Sequence, residues 1–396
     1  MNQENLIKEG KEAFLGIYSQ FPIVLDSGDN ASVTDIDGNT YLDFVAGIAT
    51  NIFGYNDQGL KNALKNVIDN GLLHTSNLYW NKYAISAAKG LKEISNMERV
   101  FFCNSGTEAN EAAIKLVRKY GSSKKKGKTK IISLENSFHG RTLGSLSATG
   151  QKIYQDPFKP LAPDFSYVPI NDIEALKESV TEKTCAIFIE AVQGEGGIIS
   201  ADSDYLRKVR QICDENEIVL VCDEVQCGMG RTGEFFGWQK KGIVCDVMTL
   251  AKGLGGGVAI GAMVVSEKFA DVLKPGDHGT TLGGNLLAAC GADYVISRLK
   301  EPSFLEHVKK VSAYFETALK VLQKKYPQIL EIRIEGLMVG LVMNQEVRPI
   351  IDRCLKEGLL VANAGPKVLR MVPPLIVTEK EIDLAVAVLD KVLSLT

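Results

Sequence analysis

Val247-Met248-Thr249-Leu250 is a short apolar run. Two residues on, Lys252 meets a turn containing Gly253, Gly255, Gly256 and Gly257. Such a run reads as a buried strand, which puts Lys252 at its end, facing the space the glycines keep clear. A lysine withdrawn from water gives up its proton more readily, and the neutral amine is a nucleophile that condenses with an aldehyde. Taken alone, the segment could equally be a loop lysine beside a flexible turn. The ends of the other apolar runs decide between the two.

In an open parallel sheet, ligands bind beyond the carboxyl ends of the strands. After Val100–Cys103 come Asn104, Ser105, Gly106 and Thr107, small residues leading into a helix. Free backbone N–H groups and the helix dipole make that a phosphate cradle; plain N-capping by Ser105 is the competing reading. After Ile131–Leu134 come Phe138 and Arg141, a ring to stack and a fork for a carboxylate. After Cys185–Ile189 lie two carboxylates, Glu190 and Glu195, in a glycine-rich loop. After Ile218–Cys222 comes Asp223, followed by Val225 and Gln226. An aspartate at the end of a buried strand is costly without a partner, and a protonated ring nitrogen is one such partner. An amine, a buried aspartate, a phosphate cradle and a stacking ring are together the needs of pyridoxal 5'-phosphate.

The elements that must hold these groups follow from hydrophobic periodicity. Residues 32–44 resemble a hairpin around an Asp37-Gly38 turn. From about residue 60, helices alternate with strands. A helix is expected over 107–119 on the stripe Ala109, Ala112, Ala113, Leu116, Val117. Strands are expected at each apolar run above and at Ala262–Val265; the runs are continuous, as in a mainly parallel sheet covered on both faces. A long helix is expected over 302–324, and a last helix from Thr378 with Glu381 completing a capping box. This gives an α/β chain in three parts: an N-terminal arm with short strands (1–55), a large domain with a mainly parallel sheet (56–290), and a smaller α+β domain (291–396).

The chain has 396 residues and a net charge of -3, which argues against nucleic acid or an anionic membrane as the main partner. No run approaches the roughly 20 apolar residues that span a bilayer. There is no basic-then-apolar leader, and no Cys-x-x-Cys pair among eight cysteines. The expectation is a reduced, cytoplasmic protein without a structural metal. A nicotinamide-binding protein is disfavoured, because Gly253–Gly257 do not form Gly-x-Gly-x-x-Gly opening a helix. A non-enzymatic binder would have no need of Lys252.

Over essentially its full length the chain resembles the fold-type I, class III (ornithine-type) aminotransferases. The matching pieces are 104–110, 138–142, 193–195, 223–226, 230–233, Lys252-Gly253, 278–281 with 283–285, and Arg370 before Pro373-Pro374. Within the family, 47–49 and 74–79 look most like the acetylornithine branch.

The resemblance implies that Lys252 carries the cofactor and moves the proton, and that Asp223 pairs with the pyridine nitrogen. It places Val225 and Phe138 on the two ring faces, Gln226 near the ring hydroxyl, and Ser105, Gly106 and Thr107 at the phosphate. It implies that Thr281 reaches the phosphate from the other subunit of a homodimer. Arg141, with Thr280 nearby, would bind the α-carboxylate of N2-acetyl-L-ornithine; Arg370 would bind the glutamate carboxylate, with Glu195 as its switchable partner. The implied reaction transfers the amino group to 2-oxoglutarate in arginine biosynthesis. Ornithine, succinylornithine, N-succinyl-diaminopimelate and 4-aminobutyrate are the alternative donors. The chain departs from the family pattern at Ala191, Leu282 and Leu286, of which Leu282 bears on the pocket rim.

Overall fold

The computed structural model describes residues 2–395. Its central sheet has seven strands: β1 (Arg99–Cys103), β2 (Lys130–Leu134), β3 (Phe165–Val168), β4 (Thr184–Ile189), β5 (Val219–Asp223), β6 (Val247–Leu250) and β7 (Gly261–Val265). Their order across the sheet is β1-β7-β6-β5-β4-β2-β3. Only β7 runs against its neighbours, so the other six strands end on one edge. β4 to β7 are buried along their whole length, which is why their sequences are apolar without alternation.

The helix after β1 spans Gly106–Lys124 and buries the predicted stripe against the sheet. It runs past the expected end at 119. Gly121 reads in sequence as a stop, but a Cβ there would lie 2.2 Å from the Lys128 carbonyl oxygen and 2.6 Å from Cys185 Cβ. Gly121 therefore serves a close approach to β4 inside the helix.

A second, antiparallel sheet is built from Ile329–Glu335, Met338–Met343, Val368–Met371 and Ala362–Asn363. Helices Pro302–Lys325 and Glu379–Leu393 accompany it. Thr378 caps the last helix as its sequence predicts: Thr378 N donates to Glu381 Oε2 at 2.7 Å, and Glu381 N donates back to Thr378 Oγ1 at 3.3 Å. The N-terminal hairpin forms between Ser32–Asp35 and Thr40–Asp43, and Leu359–Leu360 adds parallel to Thr40–Asp43.

Two features were not expected. Gln3–Ala13 is a helix, capped by Asn2. Leu286–Leu299 is also a helix, so the boundary drawn between 290 and 291 falls inside it. Small residues at Ala288, Ala289, Gly291 and Ala292 let it pack tightly, with Gly291 against the Gly255 carbonyl. This helix therefore backs the glycine turn that follows Lys252. Among the described residues no helix is long and apolar enough to cross a membrane.

Candidate active site

A cavity of about 480 Å³ opens at the carboxyl edge of the sheet. Lys252 enters it from the end of β6, in a short 3-10 turn, Lys252–Gly255, with its own backbone at φ +45°. A non-glycine residue in this left-handed region carries strain of about 1–3 kcal/mol, held by its surroundings. Among the described residues, Lys252 Nζ has no hydrogen bond or ion pair. Burial holds its pKa below the ordinary lysine value. The charge of Glu195 opposes that shift, Arg370 reinforces it, and Asp223 and Glu190 oppose it. The result is an amine predisposed to be neutral and uncommitted.

Asp223 ends β5 and lines the same cavity. Its Oδ2 accepts from Asn110 Nδ2 at 2.8 Å and from His139 Nδ1 at 2.7 Å; among the described residues its Oδ1 accepts only from Val225 N, at 2.9 Å. Asn110 is held in turn by Thr249 Oγ1 on β6, which donates to Asn110 Oδ1 at 2.8 Å. The network ties β5, β6, the helix after β1 and the loop after β2 to one carboxylate, leaving Oδ1 with acceptor capacity. Burial works against protonation of His139. The hydrogen bond and charge of Asp223, with the charge of Glu190, outweigh it and raise its pKa. His139 Nε2 is buried and has no hydrogen-bond partner among the described residues. Glu190, also on the cavity wall, is pushed well above the usual carboxylate range by burial, with Asp223 adding to the shift and His139 opposing it. Its Oε2 accepts from Phe138 N at 3.1 Å.

The helix after β1 presents its N-terminus to the cavity through Ser105, Gly106 and Thr107. Ser105 does what the capping reading foresaw: Glu108 N donates to its Oγ at 3.3 Å, and its hydroxyl donates to Glu108 Oε2 at 3.0 Å. The Ser105 side chain is thus committed, and the anion-binding groups left are backbone N–H groups at the start of the helix. Gly106 is required here, because a Cβ would lie 2.8 Å from Val225 Cγ1. Thr107 Oγ1 belongs to a hydroxyl cluster with Ser145 Oγ at 2.6 Å and Thr142 Oγ1 at 3.0 Å.

Two arginines serve the cavity in opposite ways. Arg370, on the second sheet and 3% exposed, points at the loop after β4. Its Nη1 donates to Glu195 Oε1 at 2.5 Å, Gly194 O at 3.2 Å and Gln226 Oε1 at 3.3 Å. Burial would raise the Glu195 carboxyl, but the charges of Arg370 and Lys252 and the bonds from Arg370 and Gln226 hold it low. Arg141 is exposed and, among the described residues, its guanidinium has no hydrogen bond or ion pair. It lies over the rings of Tyr154 (3.9 Å to the centroid) and Phe138 (5.4 Å).

Residues 17–393 match the family profile described as aminotransferase class-III. The chain belongs to the class-III aminotransferases. An acetylornithine aminotransferase of Caldanaerobacter subterraneus is 50% identical over 391 residues, covering 98% of this chain and 99% of that protein. The solved N-acetylornithine aminotransferase of Stenotrophomonas maltophilia superposes with a TM-score of 0.84 at 34% identity, covering 98% of each chain. The ornithine aminotransferase of Toxoplasma gondii superposes at 0.95 with 29% identity, covering 100% of this chain and 96% of that one.

As a class-III aminotransferase the chain uses pyridoxal phosphate, with small amino and keto compounds as substrates. Its residues fit that cofactor: an uncommitted amine, a carboxylate with a spare acceptor oxygen, and a helix N-terminus kept open by Gly106 all face one space. Ten of the residues singled out from sequence line that cavity: Ser105, Gly106, Thr107, Phe138, Arg141, Glu195, Asp223, Val225, Gln226 and Lys252. Arg370 joins them through Glu195.

Thr280 and Thr281 do not reach the cavity of their own chain. Gly283 packs closely on the end of β1: a Cβ there would lie 2.5 Å from the Phe102 carbonyl oxygen and 2.7 Å from Cys103 Cα. Thr280 then lines a separate groove, where its Oγ1 accepts from Asn104 Nδ2 at 3.0 Å, and Thr281 is exposed. Asn110, His139 and Glu190 are functional candidates to which the sequence assigned no role. The first two sit inside matched segments, so the signal was position without partner.

Proposed function

We propose that this chain transfers the amino group of N2-acetyl-L-ornithine to 2-oxoglutarate, giving N-acetyl-L-glutamate 5-semialdehyde and L-glutamate, as a cytoplasmic step of arginine biosynthesis. The observation that carries the reading is the pair of arginines. One is open to a carboxylate; the other is closed by a removable acid. A site that takes two different substrates in turn needs both. The names of the curated relatives support the choice of donor.

Gly106 and Thr107 bind the cofactor phosphate through their backbone N–H groups. Asp223 would hold the protonated ring nitrogen, with Asn110 and His139 keeping the carboxylate in place. Val225 and Phe138 enclose the ring, and Gln226 lies by its hydroxyl. Bound in this way, pyridoxal phosphate supplies an aldehyde carbon and an electron-accepting ring. Lys252 Nζ would take the proton from the donor carbon bearing the nitrogen in the first half-reaction and deliver one to the carbon of the acceptor that gains the amino group in the second, as a general base and then a general acid; a lowered pKa suits that work.

Arg141 orients the α-carboxylate. With Glu195 closed on Arg370, the site presents a neutral wall beside the reacting δ-carbon of acetylornithine, which bears no carboxylate. With Glu195 turned away, Arg370 receives the second carboxylate of 2-oxoglutarate.

We also read the chain as a homodimer in which Thr281, exposed on its own chain, reaches the partner's phosphate. Leu78, Tyr79 and Trp80, 86%, 71% and 93% exposed near the Thr280 groove, support such a contact. The substrate test is a comparison of kcat/KM for acetylornithine, ornithine, succinylornithine and 4-aminobutyrate with 2-oxoglutarate as acceptor. Acetylornithine is expected to rank first; a higher value for ornithine would reassign the donor.

A further inference from the structure

Among the described residues no acid pairs with the Arg141 guanidinium, which raises the question of what holds it. A flexible guanidinium at a cavity mouth loses rotamer freedom when it binds a carboxylate, and that loss weakens binding unless the side chain is already ordered. An acidic partner would order it, yet would also compete for the N–H groups the substrate needs, as Glu195 does at Arg370. An aromatic face avoids this conflict. It attracts the cation through the flat side of the guanidinium and leaves the in-plane N–H donors free.

The structure places such a face under Arg141. Tyr154 lies in the short helix Lys152–Gln155, with its ring centroid 3.9 Å from the Arg141 guanidinium carbon. Phe138 packs edge-on against that ring, with centroids 6.1 Å apart and planes at 87°. The helix is itself pinned by the next residue. Gln155 is buried, and its Nε2 lies 2.6 Å from the Thr149 carbonyl oxygen, 3.3 Å from that of Leu146 and 2.7 Å from Tyr167 Oη. A continuous set of contacts thus runs from the core through Gln155 and Tyr154 to Arg141. No hydrogen bond involves the Tyr154 hydroxyl among the described residues, so the ring is the part in use.

We propose that Tyr154 is the positioning residue for Arg141: its ring holds the guanidinium ordered and anion-free, and so sets the affinity for the substrate carboxylate shared by both half-reactions. The proposal rests on Arg141 being the carboxylate-binding arginine. It separates two kinds of control, because Tyr154 acts on donor and acceptor alike, whereas Glu195 discriminates between them.

The test is calorimetric binding of glutarate, an unreactive dicarboxylate, to the holoenzyme and to the variants Tyr154→Leu, Tyr154→Phe and Arg141→Ala, alongside steady-state kinetics. Tyr154→Leu should weaken glutarate about fivefold and raise KM for both substrates by a similar factor, with kcat nearly unchanged. Tyr154→Phe should bind and turn over as the parent does. If Arg141→Ala weakens glutarate but Tyr154→Leu does not, the positioning role is wrong. If Arg141→Ala leaves glutarate binding intact, the assignment of Arg141 is wrong instead. A loss in Tyr154→Phe equal to that in Tyr154→Leu would assign the effect to the hydroxyl and overturn the proposal. Should Tyr154→Leu fail to melt cooperatively, Tyr154→Met supplies the same comparison without a ring.

Discussion

At the scale of single residues, the site is a set of charges whose partners decide their use. Among the described residues Lys252 Nζ has no hydrogen bond or ion pair, the Arg141 guanidinium meets only rings, and Arg370 has an acid that can leave. Breaking the last of these is the most informative change. Glu195→Ala leaves Arg370 buried and uncompensated, a cost of about 3–5 kcal/mol for a buried pair, and keeps the second carboxylate site permanently open. The half-reaction with glutamate or 2-oxoglutarate should be retained or improved, while that with acetylornithine slows by about tenfold or more. Single-turnover rates for each half measure this, and an equal change in both would sink the switching role.

Lys252 and Asp223 were legible in the sequence because a charge directly after an apolar run is conspicuous. Tyr154 and the His139–Asp223 contact were not. His139 is 84 residues from Asp223 and meets it only because β2 and β5, with β4 between them, end on the same edge of the sheet, and no local pattern encodes that.

At the scale of elements, close backbone approach governs the architecture around the cofactor site. Gly106 lets the helix after β1 start against Val225. Gly106→Ala should therefore lower the stability of the apoprotein by about 1–3 kcal/mol and impair retention of pyridoxal phosphate. Val225→Ala, which removes the two methyl groups a new Cβ would meet, should recover most of the stability in a denaturant titration. No recovery would place the strain elsewhere.

Glu224 illustrates a second element-level device. It accepts from Gly237 N at 2.7 Å and Trp238 N at 2.9 Å, anchoring the start of helix Gly237–Lys240 beneath β5. Burial outweighs these bonds and pushes its carboxyl up to about 7 from an ordinary 4.5. Because the folded pKa is the higher one, its contribution is full below about 4.5 and is lost as pH rises through about 7. The upper bound of that loss is about 3 kcal/mol. The fall in Tm between about pH 5 and pH 8 should be smaller in Glu224→Gln than in the parent; a parallel fall would contradict the assignment.

Most elements were readable from sequence because the strands are uniformly apolar and the helices carry clear stripes. Leu286–Leu299 was missed because it buries small residues on several sides and shows little periodicity.

At the scale of the whole molecule, a single chain supplies every proposed group except the outward-facing loop of Thr280 and Thr281. A partner subunit would complete the site. Trp80→Glu, introducing a charge at a residue 93% exposed in the isolated chain, should shift the protein toward monomer in sedimentation and reduce its hold on pyridoxal phosphate. A monomeric parent, or a variant that dimerises unchanged, would exclude that surface.

The proposed function requires one cavity to run two half-reactions on Lys252, with acetylornithine and 2-oxoglutarate as successive substrates. The measurement that tests it most directly is the visible absorption of the holoenzyme during stepwise addition of substrate. The band of the bound cofactor should bleach with N-acetylornithine alone and return on adding 2-oxoglutarate. Bleaching only with another amine would change the donor. No band in the protein reconstituted with pyridoxal phosphate would contradict the roles given to Lys252 and Asp223.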